Sequence, residues 1–225
     1  MILRELCMYL CGDWEKEGVD DKAARDRRLT STRCVCTLVE RLLGKKIRSD
    51  DTQKINLEWV PKVWDDRIIT CDGIVTKQVA YDYKAYCDMD DAAKKREVLR
   101  VIREEMGEVF LKKGLDYDVL MQACDEAERL NLENRWIAKK AKNNKSRSVT
   151  AEIEVVHEVK TFTINAVFRN KKTGEIERNV LYETDRPDDY ICYDYLGKFF
   201  WVSNDEIELD HKWTGKVMHA KCDII

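Results

Sequence analysis

The chain has 225 residues, of which 44% are apolar and 37% charged, with only 2 prolines and 9 glycines. That is enough apolar matter for a buried core, and it excludes a disordered, collagen-like or linker-rich protein. Forty-three acids against 40 bases leave a net charge of −3, so no global basic field announces nucleic acid and any such partner requires a local patch.

The first residues, Met1-Ile-Leu-Arg-Glu-Leu, carry charges where a secretory leader has its apolar core. No apolar run reaches membrane-spanning length. Nine cysteines without a Cys-x-x-Cys pair suit free thiols in a reducing, cytoplasmic setting, not a disulfide framework or a zinc ribbon.

In chain order, Ile2, Leu3, Leu6 and Leu10 fall at helical spacing before Gly12, which predicts an N-terminal helix over residues 2–11. A polar connection follows over Asp13–Asp21. Val35, Leu38, Val39, Leu42 and Leu43 make the stripe of a second helix over Ser31–Leu43, closed by Gly44. Ile55–Val60 reads as a strand ended by Pro61. Two β-branched and aromatic segments come next, Arg67–Cys71 and Val79–Tyr86.

From Asp90 the period changes to that of a helix. Val98, Ile102, Met106 and Val109 form one stripe, ending near Gly114. Val119, Ala123, Ala127 and Leu130 form another, extended through Ile137 and Ala141. The short Gly114–Asp118 link predicts an αα-hairpin, with Asp116 or Asp118 as cap. Its second helix ends in Lys139, Lys140, Lys142, Lys145 and Arg147, with no acid between them. Cations favour a helix C-terminus, but five in nine residues exceed that need and predict a phosphate-contacting surface.

Beyond Ser148 the pattern is that of strands. Ala151–Lys160 and Thr161–Asn170 are followed by a Lys171–Gly174 turn and then Glu175–Glu183. After the loop Asp185–Asp188, the segments Tyr190–Tyr195 and Lys198–Val202 read as a hairpin dense in aromatics. The expected fold is therefore α+β: N-terminal helices, a mixed or antiparallel sheet, and a central αα-hairpin over 88–147. Residues 148–225 are expected to complete one domain with residues 1–87.

The candidate chemistry lies in Arg67–Tyr86. Asp72 closes the first segment, and Asp82-Tyr83-Lys84 sits in the second. On a strand Asp82 and Lys84 would share a face. Two carboxylates and one ammonium at a point suit a hard cation and a phosphodiester. The arrangement resembles the signature of the PD-(D/E)xK nuclease superfamily, with Cys71 in place of the usual proline and Asp82 in place of the commoner glutamate. That resemblance implies Mg²⁺ (or Mn²⁺) held by Asp72 and Asp82, with Lys84 positioning the attacking water. It also makes Glu40, on the preceding helix, an extra ligand candidate. A competing reading takes Asp72-Gly73 as the two-residue turn of a β-hairpin. Glu104-Glu105-Met106-Gly107-Glu108 resembles half of the MazG-type nucleotide pyrophosphohydrolase signature, which implies Asp125 and Glu128 as the other half, although the Glu-x-x-Asp of that family is absent.

Two functions remain open on the residues. One is a Mg²⁺-dependent nuclease using Asp72, Asp82 and Lys84, with the Lys139–Arg147 segment on the backbone of its nucleic-acid partner. The other is a non-catalytic binding protein of the phage-inhibitor or immunity type, meeting a protein partner through Tyr190–Trp201. His219-x-x-Cys222 is a possible two-ligand pair lacking further ligands.

Overall fold

The computed structural model describes residues 1–14, 16, 29–44 and 46–225. Apart from Asp13, Trp14 and Lys16, the polar connection expected over Asp13–Asp21 lies outside them. The fold is α+β, and the chain divides into two compact units, Met1–Glu133 and Asn134–Ile225. The boundary thus falls at Glu133, not at 147, and the C-terminal strands build sheets of their own instead of completing the N-terminal one.

The first unit begins with a strand where a helix is expected. β1 (Glu5–Leu10) pairs in parallel with β2 (Lys54–Val60), Leu6 opposite Ile55. Leu6, Cys7 and Met8 are successive and all fully buried. A parallel strand covered on both faces has a near-continuous apolar sequence, and this is how the Leu-x-x-x-Leu spacing mimics a helix. Between these strands lies α1 (Thr30–Leu43), ended by Gly44 at φ +58°. β2 pairs in parallel with β4 (Ile74–Ala80), and β3 (Ile69–Cys71) runs antiparallel on the outside, giving the order β1-β2-β4-β3.

Then come α2 (Tyr83–Asp88) and α3 (Asp91–Val101), which runs through a π turn at Ile102–Met106 into α4 (Gly107–Lys112), and finally α5 (Tyr117–Arg129). The expected αα-hairpin exists and Asp116 is its cap, accepting from Val119 N at 3.1 Å. α1 packs against α3 and α5, so the hairpin is part of this unit's core. Trp59 anchors an aromatic cluster, stacked on Tyr81 at 3.8 Å and edge-on to Tyr86 at 5.1 Å.

The helix expected to run through Ala141 stops at Arg129. Asn131 and Leu132 take positive φ, and β5 (Asn134–Asn143) follows. β5, β6 (Val149–His157), β7 (Phe162–Asn170) and β8 (Ile176–Thr184) form an antiparallel meander. A short helix α6 (Asp189–Cys192) leads to a three-stranded sheet of β9 (Phe199–Trp201), β10 (Glu206–Asp210) and β11 (Val217–Lys221), ordered β11-β10-β9. Phe162, Phe168, Phe199, Ile207 and Leu209 are among the side chains between the two sheets.

Side chains bridge both open seams of this unit. Lys142 Nζ donates to Phe199 O and Trp201 Nε1 to Lys142 O, tying β5 to β9. Asn179 Nδ2 donates to Lys221 O, and the N–H of Asp223 to Glu177, tying β8 to the β11 end. Edge strands that would otherwise expose backbone groups are thereby covered.

The expected hairpin of Tyr190–Tyr195 with Lys198–Val202 is not formed. Residues 189–195 are helical turns, and β9 pairs with β10 instead. Phe199 is buried and Tyr193, Tyr195 and Trp201 are half-buried, so most of the proposed aromatic surface is core, with Tyr190 and Phe200 left exposed. No helix among the described residues is long and apolar enough to cross a membrane.

Candidate functional site

The carboxylates of the nuclease-like motif do not meet. Asp72 and Gly73, at φ 47° and 81°, are the two central residues of a tight hairpin turn joining β3 to β4, with Cys71 opposite Ile74. Asp82 caps α2, its side chain accepting from Ala85 N at 2.9 Å, and Lys84 lies on the exposed side of that helix. The whole of β4 separates the two acids, about 23 Å at the usual rise per residue. Carboxylates sharing one Mg²⁺ must lie within about 5 Å of each other, given ligand distances near 2.1 Å. The strand formers of Val79–Tyr86 predict a strand through Asp-x-Lys, but the strand ends at Ala80 and Asp82 turns the chain into a helix.

Glu40 is equally committed elsewhere. It accepts from the Leu6 backbone N–H at 2.8 Å and pairs with Arg33 at 3.2 and 3.3 Å, while Arg33 Nη1 donates to Leu6 O. β1 is an outer strand of its sheet, and this pair, seven residues apart on α1, satisfies both backbone groups of Leu6 on the free edge.

The acids of the MazG-like pattern are ion-paired as well. Glu105 and Glu108 hold Lys77, Glu104 pairs with Arg100, and Asp125 and Glu128 pair with Arg103. Lys112 and Lys77 hold the Glu108 carboxyl down at about 2. His219 lies 3.2 Å from Glu206 on the exposed side of β11, whereas Cys222 points into the core. Among the described residues no group of three or more His, Cys, Asp or Glu side chains is disposed to hold a metal ion.

The basic segment survives in a different form. Lys139, Lys140 and Lys142 lie on β5, where strict alternation would send neighbours to opposite faces. The β5–β6 register slips between Ile137 and Lys139 and again between Lys139 and Lys142. These irregularities re-aim the chain, and all three lysines line one groove of about 540 Å³ together with Lys198, Phe199 and Phe200. A second groove of about 750 Å³ adjoins it, lined by Lys139, Lys198, His211 and Lys212 among others. Lys145 and Arg147 stand outside both grooves, in the β5–β6 turn.

Gly197 belongs to both grooves, and its place is dictated by close approach. A Cβ there would lie 2.2 Å from Asp210 O, the atom to which Gly197 N donates at 2.8 Å. Asp210 N in turn donates to Lys198 O, which fixes Lys198 beside Lys139.

Among the described residues, Lys139, Lys140, Lys198 and Lys212 form no ion pair, unlike Lys54, Lys77 and Lys113, which are matched with acids. Burial and then the charges of Lys212 and Lys142 push the Lys139 ammonium below its ordinary pKa. Lys142 is partly occupied by the Phe199 carbonyl and ring. Asp210 also lines the second groove but pairs with none of these lysines; like charges gathered in excess form a site whose repulsion an anion relieves. The third cavity, about 890 Å³ near Met1, contains both signs, with Lys113 already bound to Asp51.

Sequence reasoning missed Lys198 and Lys212. Their signal was local: Lys198-Phe199-Phe200-Trp201 and His211-Lys212-Trp213 interleave cations with aromatics, a pattern common on nucleic-acid-binding surfaces. No family model matches the chain, and no curated protein or solved structure matches it either.

Proposed function

We propose that residues 134–225 bind nucleic acid, without cleaving it, through the lysine-lined grooves between β5, β9 and the β10–β11 turn. The observation that carries this reading is the convergence of Lys139, Lys140, Lys198 and Lys212 on two adjoining concavities with no acid paired to any of them among the described residues. Phosphates are the natural counter-charges for such a cluster, and lysine supplies them with point charges. A catalytic role for Asp72, Asp82 and Lys84 has no comparable support, since β4 holds the two acids apart. The same separation disfavours a shared Mg²⁺ on those residues.

The test is fluorescence anisotropy of a labelled oligonucleotide titrated with protein from 50 to 200 mM salt. Four phosphate contacts give a slope of log K against log salt of about −2.8 for a single strand, hence a loss of about 50-fold over that range. In the double variant Lys139→Gln/Lys198→Gln the slope falls to about −1.4 and the loss to about 7-fold. An unchanged slope in that variant refutes the reading. Cleavage run alongside with Mg²⁺ and with EDTA is expected to be nil, and Mg²⁺-dependent cutting abolished by Asp82→Asn would restore the nuclease.

A further inference from the structure

We propose that these grooves select single-stranded over duplex nucleic acid, with Trp213 and Phe200 as platforms on which unpaired bases stack. This rests on the reading of the grooves as a polyanion site and names the form of polyanion they take. Trp213 is 78% exposed, the most uncovered of the large apolar side chains described. An exposed indole on a floppy turn would be unremarkable, but this one is held. Its Nε1 donates to Asp194 Oδ1 at 2.9 Å, and its backbone N–H donates to His211 Nδ1 at 3.2 Å. The neighbouring Lys212 N donates to Asp194 O at 2.7 Å. His211 also accepts from Thr214 N, so the whole turn that walls the second groove is pinned while the indole stays in solvent.

Phe200 is the second platform, 39% exposed on the wall of the first groove and next to Lys198. Phe200 pairs with Glu208, and the backbone from Glu208 to Trp213, five residues on, spans at most about 17 Å. Lys139 and Lys198 are common to both grooves, and Lys212, next to Trp213 in the chain, lines the second. Cations for the backbone with exposed aromatics beside them are the elements by which single strands are held without reading their sequence. Bases of an intact duplex are already stacked on each other and offer those rings nothing.

The experiment compares three probes on the full chain: a labelled oligothymidylate of about ten nucleotides, within the usual span of one such site, a duplex of the same length, and heparin, an anion without bases. Trp213→Ala and Phe200→Ala are each expected to weaken the single strand by about 5- to 150-fold, with heparin binding and the salt slope unchanged, and Trp213→Phe is expected to restore most of the loss. Circular dichroism and melting of each variant monitor the fold. Duplex binding as tight as single-strand binding, or aromatic variants that change neither probe, overturns the proposal. If the lysine variant weakens both heparin and oligonucleotide while the aromatic variants do nothing, the polyanion site stands and the stacking proposal falls. If the lysine variant leaves both probes untouched, both readings fall together.

Discussion

Replacing Glu40 by alanine is expected to unfold the first unit early, because it removes the carboxylate that faces a buried cation. Arg33 is 1% exposed and Glu40 15%, with two nitrogen–oxygen contacts at 3.2 and 3.3 Å. Removing one partner of a buried pair costs about 3–5 kcal/mol, since the remaining charge keeps its desolvation penalty without its attraction. Leu6 N–H, which Glu40 accepts at 2.8 Å, is orphaned by the same change. For a unit of Met1–Glu133 the melting temperature then falls by roughly 10–20 °C, read by differential scanning calorimetry. The double variant Arg33→Met/Glu40→Gln removes the charge on both sides and keeps an acceptor for Leu6, so it melts above Glu40→Ala. Added Mg²⁺ is expected to leave these temperatures unchanged. A Glu40→Ala protein melting within about 1 kcal/mol of the parent would refute the account. A Mg²⁺ stabilisation of the parent that Glu40→Gln abolishes would return Glu40 to the role of metal ligand.

Two further outcomes follow from the geometry. Gly197→Ala places a Cβ against Asp210 O and is expected to destabilise residues 134–225 by more than about 2 kcal/mol, measured as a lowered urea midpoint, and to flatten the salt slope by displacing Lys198. Glu108, with its carboxyl held at about 2 by Lys112 and Lys77, contributes stability that is present above its ordinary value of 4.5 and lost as pH falls from there toward 2. The melting temperature of Glu108→Gln is therefore expected to converge on that of the parent across that window, and a constant gap down to pH 2 would contradict the pairing.

Much of the secondary structure was legible wherever local chemistry and burial agree. The α1 stripe with its glycine stop, the Asp116 cap, the strand ended by Pro61 and the Asp72-Gly73 turn are each encoded within a few residues. The failures occurred where a partner far along the chain decides the conformation. Leu3, Leu6 and Leu10 have helical spacing, yet pairing with β2 and burial of both faces make β1 a strand. Ile137 and Ala141 continue a helical stripe on paper, yet the chain leaves the helix at Asn131 and Leu132 and Asn134–Asn143 pairs with β6.

The candidate site divides in the same way. Composition alone indicates that a nucleic-acid partner would need a local patch, and of the run from Lys139 to Arg147 the residues Lys139, Lys140 and Lys142 line the proposed groove. What drew Lys198 and Lys212 to that strand was the packing of the β9–β10–β11 sheet, through Gly197 at Asp210 and Lys142 at the Phe199 carbonyl. The Asp-x-Lys spacing fitted the nuclease motif as well as any three residues can, but convergence of side chains is a property of strand ends, and β4 places Asp72 and Asp82 at opposite ones. Spacing along a chain constrains neighbours within a turn or a strand. Distances between elements depend on which strands pair and in what register, and here those pairings separated the acids and gathered the lysines.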